Sequence, residues 1–139
     1  MADGHLELSK TQTLRVVGSA PAALEMESTW KPGGSPPPTH WHPHQHEHFA
    51  VLEGVLTVRL GGESPRRVEA GETIDVPART AHSMWNAGTV PCRASWRVTP
   101  ARRTEEMLRT VAAGPGPLGK VRMLWRFRHE FRLGSPRRG

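Results

Sequence analysis

Between about Gln12 and Thr99 the chain alternates apolar and polar positions in short runs with a period of two. Ala22, Leu24, Met26, Ser28 and Trp30 alternate with Ala23, Glu25, Glu27 and Thr29. Leu56, Val58 and Leu60 alternate with Val55, Thr57 and Arg59, and Ala94, Trp96 and Val98 with Arg93, Ser95 and Arg97. Neighbouring side chains on a strand point to opposite faces, so each run predicts a strand with one face on a core. Pro32-Gly33-Gly34, Gly61-Gly62, Ala70-Gly71-Glu72 and Asn86-Ala87-Gly88 stand between the runs and supply turn chemistry. Several short strands at regular spacing predict an all-β sandwich or barrel.

Beyond Pro100 the pattern changes. Thr104 to Ala113 predicts a short helix with Met107, Leu108 and Val111 on one side, stopped by Gly114-Pro115-Gly116-Pro117. The segment Lys120 to Leu133 carries two patterns. Its odd positions (Val121, Met123, Trp125, Phe127, Phe131, Leu133) are apolar, as in a strand, yet fourteen residues without a turn former exceed the usual strand. A helical projection gives a broad apolar arc broken by Arg128 and Arg132, and helix is the preferred reading. The expected organisation is a β-barrel domain over 1–100 and a helical tail over 101–139 packed on it.

Length supports one domain rather than two, at 139 residues. Five Trp and three Phe argue against a disordered chain. The sequence has no apolar run of membrane-spanning length, and MADGHLELSK carries charges where a signal peptide needs an apolar stretch. Cytoplasm is therefore the expected location. The lone Cys92 excludes an internal disulfide and any cysteine-cluster zinc site, and is expected to be an inert buried thiol. Of the +6 net charge, residues 1–100 contribute −1 and residues 101–139 contribute +7. The tail arginines alternate with large apolar residues that need burial, so a solvated helix face is favoured over a nucleic-acid patch. Neither nucleic acid nor membrane is an expected partner.

Five of the eight histidines fall within His40–His48. On an extended segment His40 and His42, two apart, point to the same side. Glu47 has the wrong parity for that face, but Pro43 interrupts regular pairing and lets a new strand begin near Glu47. Two imidazoles and a carboxylate are a common donor set for first-row divalent metals. Further on, Thr73 to Val76 predicts a strand, Pro77 a turn, and His82 the start of another strand that antiparallel pairing can carry back to the first cluster. His44, His46 and His48 are not required by this set and are expected in outer or solvent positions.

The two stretches resemble the paired motifs of the cupin superfamily, in the manner of small single-domain bacterial members. The first motif, G-x5-H-x-H-x4-E-x6-G, is met at Gly34, His40, His42, Glu47 and Gly54. The second, G-x5-P-x-G-x2-H-x3-N, is met at Gly71, Pro77, His82 and Asn86. Arg79 stands where the family usually has glycine, so the turn before His82 is expected to be reshaped. The resemblance implies a jelly-roll-like β-barrel of two antiparallel sheets with a short C-terminal helical extension. It also implies one divalent transition metal ion held by His40, His42, Glu47 and His82, with manganese, iron, cobalt, nickel, copper and zinc all compatible. Glu47 would serve as ligand or as catalytic base.

Met26, Trp30, Phe49, Met84 and Trp96 are expected to line an apolar cavity that suits a hydrophobic or aromatic small molecule. A metal-dependent oxidoreductase with dioxygenase chemistry is the first expectation. A redox-neutral isomerase or cyclase, or a non-catalytic ligand-binding cupin, are the alternatives. The family also implies a homodimer covering the outward Ala50 and Leu52.

Overall fold

A computed structural model describes residues 5–137. In chain order the strands are β1 (His5–Glu7), β2 (Gln12–Ala20), β3 (Ala23–Trp30), β4 (His40–Trp41), β5 (His46–Glu53) and β6 (Val55–Leu60). Next are β7 (Arg66–Glu69), β8 (Thr73–Val76), β9 (His82–Trp85) and β10 (Cys92–Thr99). Helices α1 (Thr104–Ala112) and α2 (Gly116–Arg126) come after them, and β11 (Arg132–Leu133) closes the series. One sheet runs β1-β2-β3-β10-β5-β8 and the other β11-β4-β9-β6-β7. All pairings are antiparallel.

The period-two runs place their apolar residues inward. Leu24, Met26, Ser28 and Trp30 of β3 are buried, as are Leu56 and Val58 of β6 and Ala94 and Val98 of β10. Phe49, Val51, Ile74 and Val76 from the six-stranded sheet pack with Leu56, Val58, Val68 and Met84 from the other. Each such side chain contributes roughly 1.5–3 kcal/mol by leaving water. The outer face of the six-stranded sheet is charged, with Arg93 bridging Glu27 and Glu53 and Arg97 meeting Glu25. On the outer side of β5, Ala50 is half-buried and Leu52 is exposed. Gly54 cannot be replaced at the β5–β6 corner: its φ is +74°, and a Cβ there would lie 2.4 Å from the Pro91 carbonyl oxygen.

A second cluster joins the tail to the barrel. Leu14, Leu24, Met26 and Val98 pack with Ala101, Met107, Leu108 and Phe127. Gln45 ties the start of α1 to the barrel, its side-chain amide donating to the carbonyls of Pro100 and Ala101 and to the Thr104 hydroxyl at 2.7–2.9 Å. Residues 1–4 and 138–139 of the two expected units lie outside the described residues.

The expected helix over 120–133 needs correction. It starts at Gly116, with Pro117 in the first turn, and ends at Arg126. Phe127 is buried under the barrel edge, and Arg132 and Leu133 pair with Trp41 and His40. The free edge of β4 offers ladder partners that a continuing helix would forgo, so the last part of the alternating pattern is read as strand. Among the described residues no helix is long and apolar enough to cross a membrane.

Arg79 departs from its expected effect. Its φ is +64°, so the turn takes the left-handed conformation that glycine accepts most readily, with arginine in it. Its backbone N–H donates to the His42 carbonyl at 2.8 Å, and its guanidinium lies 5.1 Å over the Trp41 ring. The side-chain contact offsets a strain of about 1 kcal/mol. Arg79→Gly removes both strain and contact, whereas Arg79→Ala keeps the strain and loses the contact. Chemical denaturation is expected to find the alanine variant less stable than the glycine variant by about 1 kcal/mol; equal stabilities would show that no strain is held there.

Candidate metal centre

Three strands and one loop bring the predicted donors together. His40 opens β4 and pairs directly with His82, the first residue of β9. His42 comes just after β4, in the loop that Pro43 breaks, and β5 begins at His46 with Glu47 turned inward opposite Val98 and Val76. The histidines thus come from one sheet and the carboxylate from the other. His42, Glu47 and His82 are buried and His40 half-buried.

The protons in this cluster are fixed from outside. His42 Nδ1 lies 2.7 Å from the Glu130 carbonyl oxygen, and His82 Nδ1 lies 2.8 Å from that of Thr80. A carbonyl oxygen only accepts, so each Nδ1 carries a proton, and in the neutral imidazole Nε2 presents a lone pair. Both Nε2 atoms stand 2.9 Å from Glu47 Oε1. His42 Nε2 and Glu47 Oε1 are buried without a hydrogen-bond partner. A buried carboxylate oxygen facing two imidazole Nε2 atoms needs positive charge among them, from a metal ion or from a proton on an imidazole. The spacing also fits: neighbouring donors around an octahedral first-row ion at about 2.1 Å lie about 3.0 Å apart. The donor atoms of His40, His42 and His82 all lie within 4.8 Å of one another. The residues present fit a divalent metal ion.

The electrostatics show the same demand for positive charge beside Glu47. Burial, with the neighbouring His82 and His42, drives the His40 pKa down to about 3, so its imidazole is neutral. Burial opposes ionisation of Glu47, but the adjacent His42 and His82 more than offset it and hold the carboxyl well below its ordinary value. Burial likewise opposes charge on His42, yet the Glu47 carboxylate and the Glu130 carbonyl raise its affinity for a proton above that of a free imidazole. A proton on His42 therefore competes with a metal ion for the same lone pair.

The remaining histidines of the cluster face away. His46 Nε2 and His48 Nδ1 share Asp75 Oδ1 at 2.9 and 2.8 Å on the exterior of β5 and β8. Their hydrogen bonds hold the Asp75 carboxyl below its usual range. His44 stacks on His129. Cys92 is buried and free, its thiol pushed up to about 11 by burial.

A cavity of ≈ 840 Å³ adjoins the centre, and Trp30, Phe49, Met84 and Trp96 line it beside His40, His42, Glu47 and His82. Met26, expected on the same wall, does not reach it. Met26 belongs instead to the buried cluster that includes Met107 and Leu108 of α1. The far wall comes from the tail, including Met107, Leu108, Met123 and Leu124. Phe131 stacks on His40 with ring centroids 4.8 Å apart. The Trp96 indole N–H donates to Glu47 Oε2 at 2.7 Å. Asn86 is structural, its amide donating to the carbonyls of Trp30 and Val90 and its oxygen accepting from the Gly88 N–H. The motif spacing carries no signal for Phe131, Glu130 or the tail wall.

Fold and site together define a two-sheet β-barrel with a histidine–carboxylate centre between its sheets. Residues 26–98 match the Cupin domain family, and the chain belongs to it. Over 68 residues it is 32% identical to the tetracenomycin polyketide synthase protein TcmJ of Streptomyces glaucescens, covering 49% of this chain and 45% of that one. Over 52 residues it is 40% identical to the oxidoreductase macE of Penicillium terrestre, covering 37% of this chain and 20% of that one. The chain thus spans less than half the length of either relative. Among solved structures, KdgF from a Halomonas species superposes with a TM-score of 0.65 at 19% identity, over 73% of this chain and 91% of that one. At that identity the likeness is one of fold.

His40→Ala or His82→Ala is expected to abolish stoichiometric metal uptake after chelation and reloading, measured by elemental analysis, while His48→Ala leaves it intact. Unchanged uptake in the first two refutes the ligand assignment. In the same assay, affinity for metal is expected to fall as pH drops through the raised His42 value, and to be retained above it.

Proposed function

We propose that this chain is a metal-dependent cupin enzyme acting on a small hydrophobic or aromatic organic molecule, with dioxygenase chemistry as its first form. The observation that carries this reading is the shared space: one apolar cavity of ≈ 840 Å³ is lined both by the four-residue donor set and by Trp30, Phe49, Met84 and Trp96. A cavity of that size takes a drug-sized ligand, and aromatic walls reward flat apolar surfaces. Away from the donors its charged residues are Glu7, Lys10 and Lys120, and the rest of the lining is mainly apolar. A divalent ion bound by this donor set supplies Lewis acidity or, if redox-active, activation of dioxygen.

The protein's own groups have definable work in this reading. The Glu130 and Thr80 carbonyls hold His42 and His82 in the tautomer that presents Nε2. Glu47, ionised and buried, neutralises part of the cation's charge and is the nearest base for a substrate proton. Phe49 and Trp96, stacked at 5.4 Å, give the substrate a flat wall. Met107, Leu108 and Met123 from the tail exclude water from the other side.

A redox-neutral version, isomerisation or cyclisation at the same centre, is supported by the similarity to a protein of a polyketide synthase. A homodimer and a cytoplasmic location belong to the same proposal. For the dimer, a second copy would cover the exposed Leu52, and sedimentation showing only monomer removes that part.

Oxygen consumption with Fe(II)-loaded protein and a panel of phenols and hydroxynaphthoic acids tests the first form. Substrate-dependent uptake, lost at least about 100-fold in His82→Ala, is the expected outcome. Product formed equally without oxygen selects the redox-neutral version. A compound bound tightly but returned unchanged under every metal and oxygen condition shows a binding module instead of an enzyme.

A further inference from the structure

The two oxygens of Glu47 have different surroundings. Oε1 faces the Nε2 atoms of His42 and His82 at 2.9 Å and has no hydrogen-bond donor. Oε2 accepts the Trp96 indole N–H at 2.7 Å. Trp96 is well placed to hold that bond. It sits on β10 between Met26 of β3 and Phe49 of β5, and its ring lies nearly parallel to that of Phe49, with 18° between planes. Indole nitrogen only donates, so the bond cannot reverse. Among side chains, Trp96 supplies the one indole donor to this carboxylate in the described residues.

From this we propose that Trp96 is a positioning residue which restricts Glu47 to metal ligation through a single oxygen. The inference rests on the metal-centre reading above and adds a role to a residue otherwise expected only to line the substrate cavity. A carboxylate free on both oxygens can swing to grip a cation with the pair, occupying two positions. With Oε2 engaged by the indole, Glu47 gives one donor atom and the three imidazoles give one each. An octahedral first-row ion then keeps two positions for substrate or co-substrate, rather than one. The same bond withdraws electron density from the carboxylate and fixes its plane, as partners behind a ligand generally do.

Trp96→Phe tests this, because it keeps an aromatic ring beside Phe49 and removes the N–H donor. Co(II) is the probe, with visible absorption reporting coordination number and competition with a chelator reporting affinity. The expected result is an altered Co(II) spectrum, with affinity changed about tenfold or more. A merely structural tryptophan would lower thermal stability and leave the spectrum of the loaded protein as it was. That outcome overturns the proposal while leaving the metal centre standing. Failure of the native chain to bind Co(II) at all overturns both together.

A second measurement needs no variant. In the native chain loaded with Zn(II), the assigned Trp96 indole proton is expected to stay protected from exchange with solvent, because its bond to Oε2 persists. Fast exchange after loading shows that Glu47 has turned both oxygens to the ion, and the proposal fails.

Discussion

A buried carboxylate oxygen and two imidazole nitrogens meet in one small volume, with the Nδ1 protons of both rings committed to backbone carbonyls. Glu130 and Thr80 take the Nδ1 hydrogens of His42 and His82, leaving Nε2 of each facing Glu47 Oε1. Such an arrangement costs several kcal/mol in a dry interior unless a positive charge is shared among the three. A metal ion bound there would supply that charge, and the raised proton affinity of His42 expresses the same demand for a cation. The geometry around this demand, more than any single motif residue, organises the barrel end.

Much of the architecture holds these few atoms in place. His40 and His82 are cross-strand partners, so the register of β4 against β9 sets two of the donors. The carboxylate arrives from the opposite sheet, fixed by β5 between β8 and β10. The tail closes the third side. Glu130 reaches His42 and Phe131 covers His40, while Phe127 anchors the segment in the core. A tail that supplies both the proton acceptor behind one donor and the far wall of the cavity is part of the site. Within the tail, Arg109 pairs with Glu105, and both Arg103 and Arg126 pair with Glu106.

The barrel was legible because its signals are local. Alternation along β3, β6 and β10 survives in the sequence, since one face of each strand is buried. Spacing on a short strand put His40 and His42 on one face and Pro43 allowed the change of parity before Glu47, while the full set with His82 came from the resemblance of the two motifs to those of cupins. The tail beyond Pro100 was harder. The odd-position apolar residues of 121–133 satisfy a helix as far as Arg126 and a strand after it, and only the free edge of β4 decides between them. Met26 shows the same limit: its parity places it inward, but there it joins the buried cluster that includes Met107 and Leu108 of α1, distant in sequence, instead of the cavity. At Arg79 the spacing located the turn correctly, and the residue type pointed to a conformation that the packing on Trp41 sets aside.

The most direct test is a crystal of the metal-loaded protein, with anomalous scattering collected at the absorption edge of the added ion. The account requires one strong peak bounded by the Nε2 atoms of His42 and His82, an imidazole nitrogen of His40 and one oxygen of Glu47. A peak found instead on the outer face beside His46, His48 and Asp75, with the four inner residues left as they are, would contradict it.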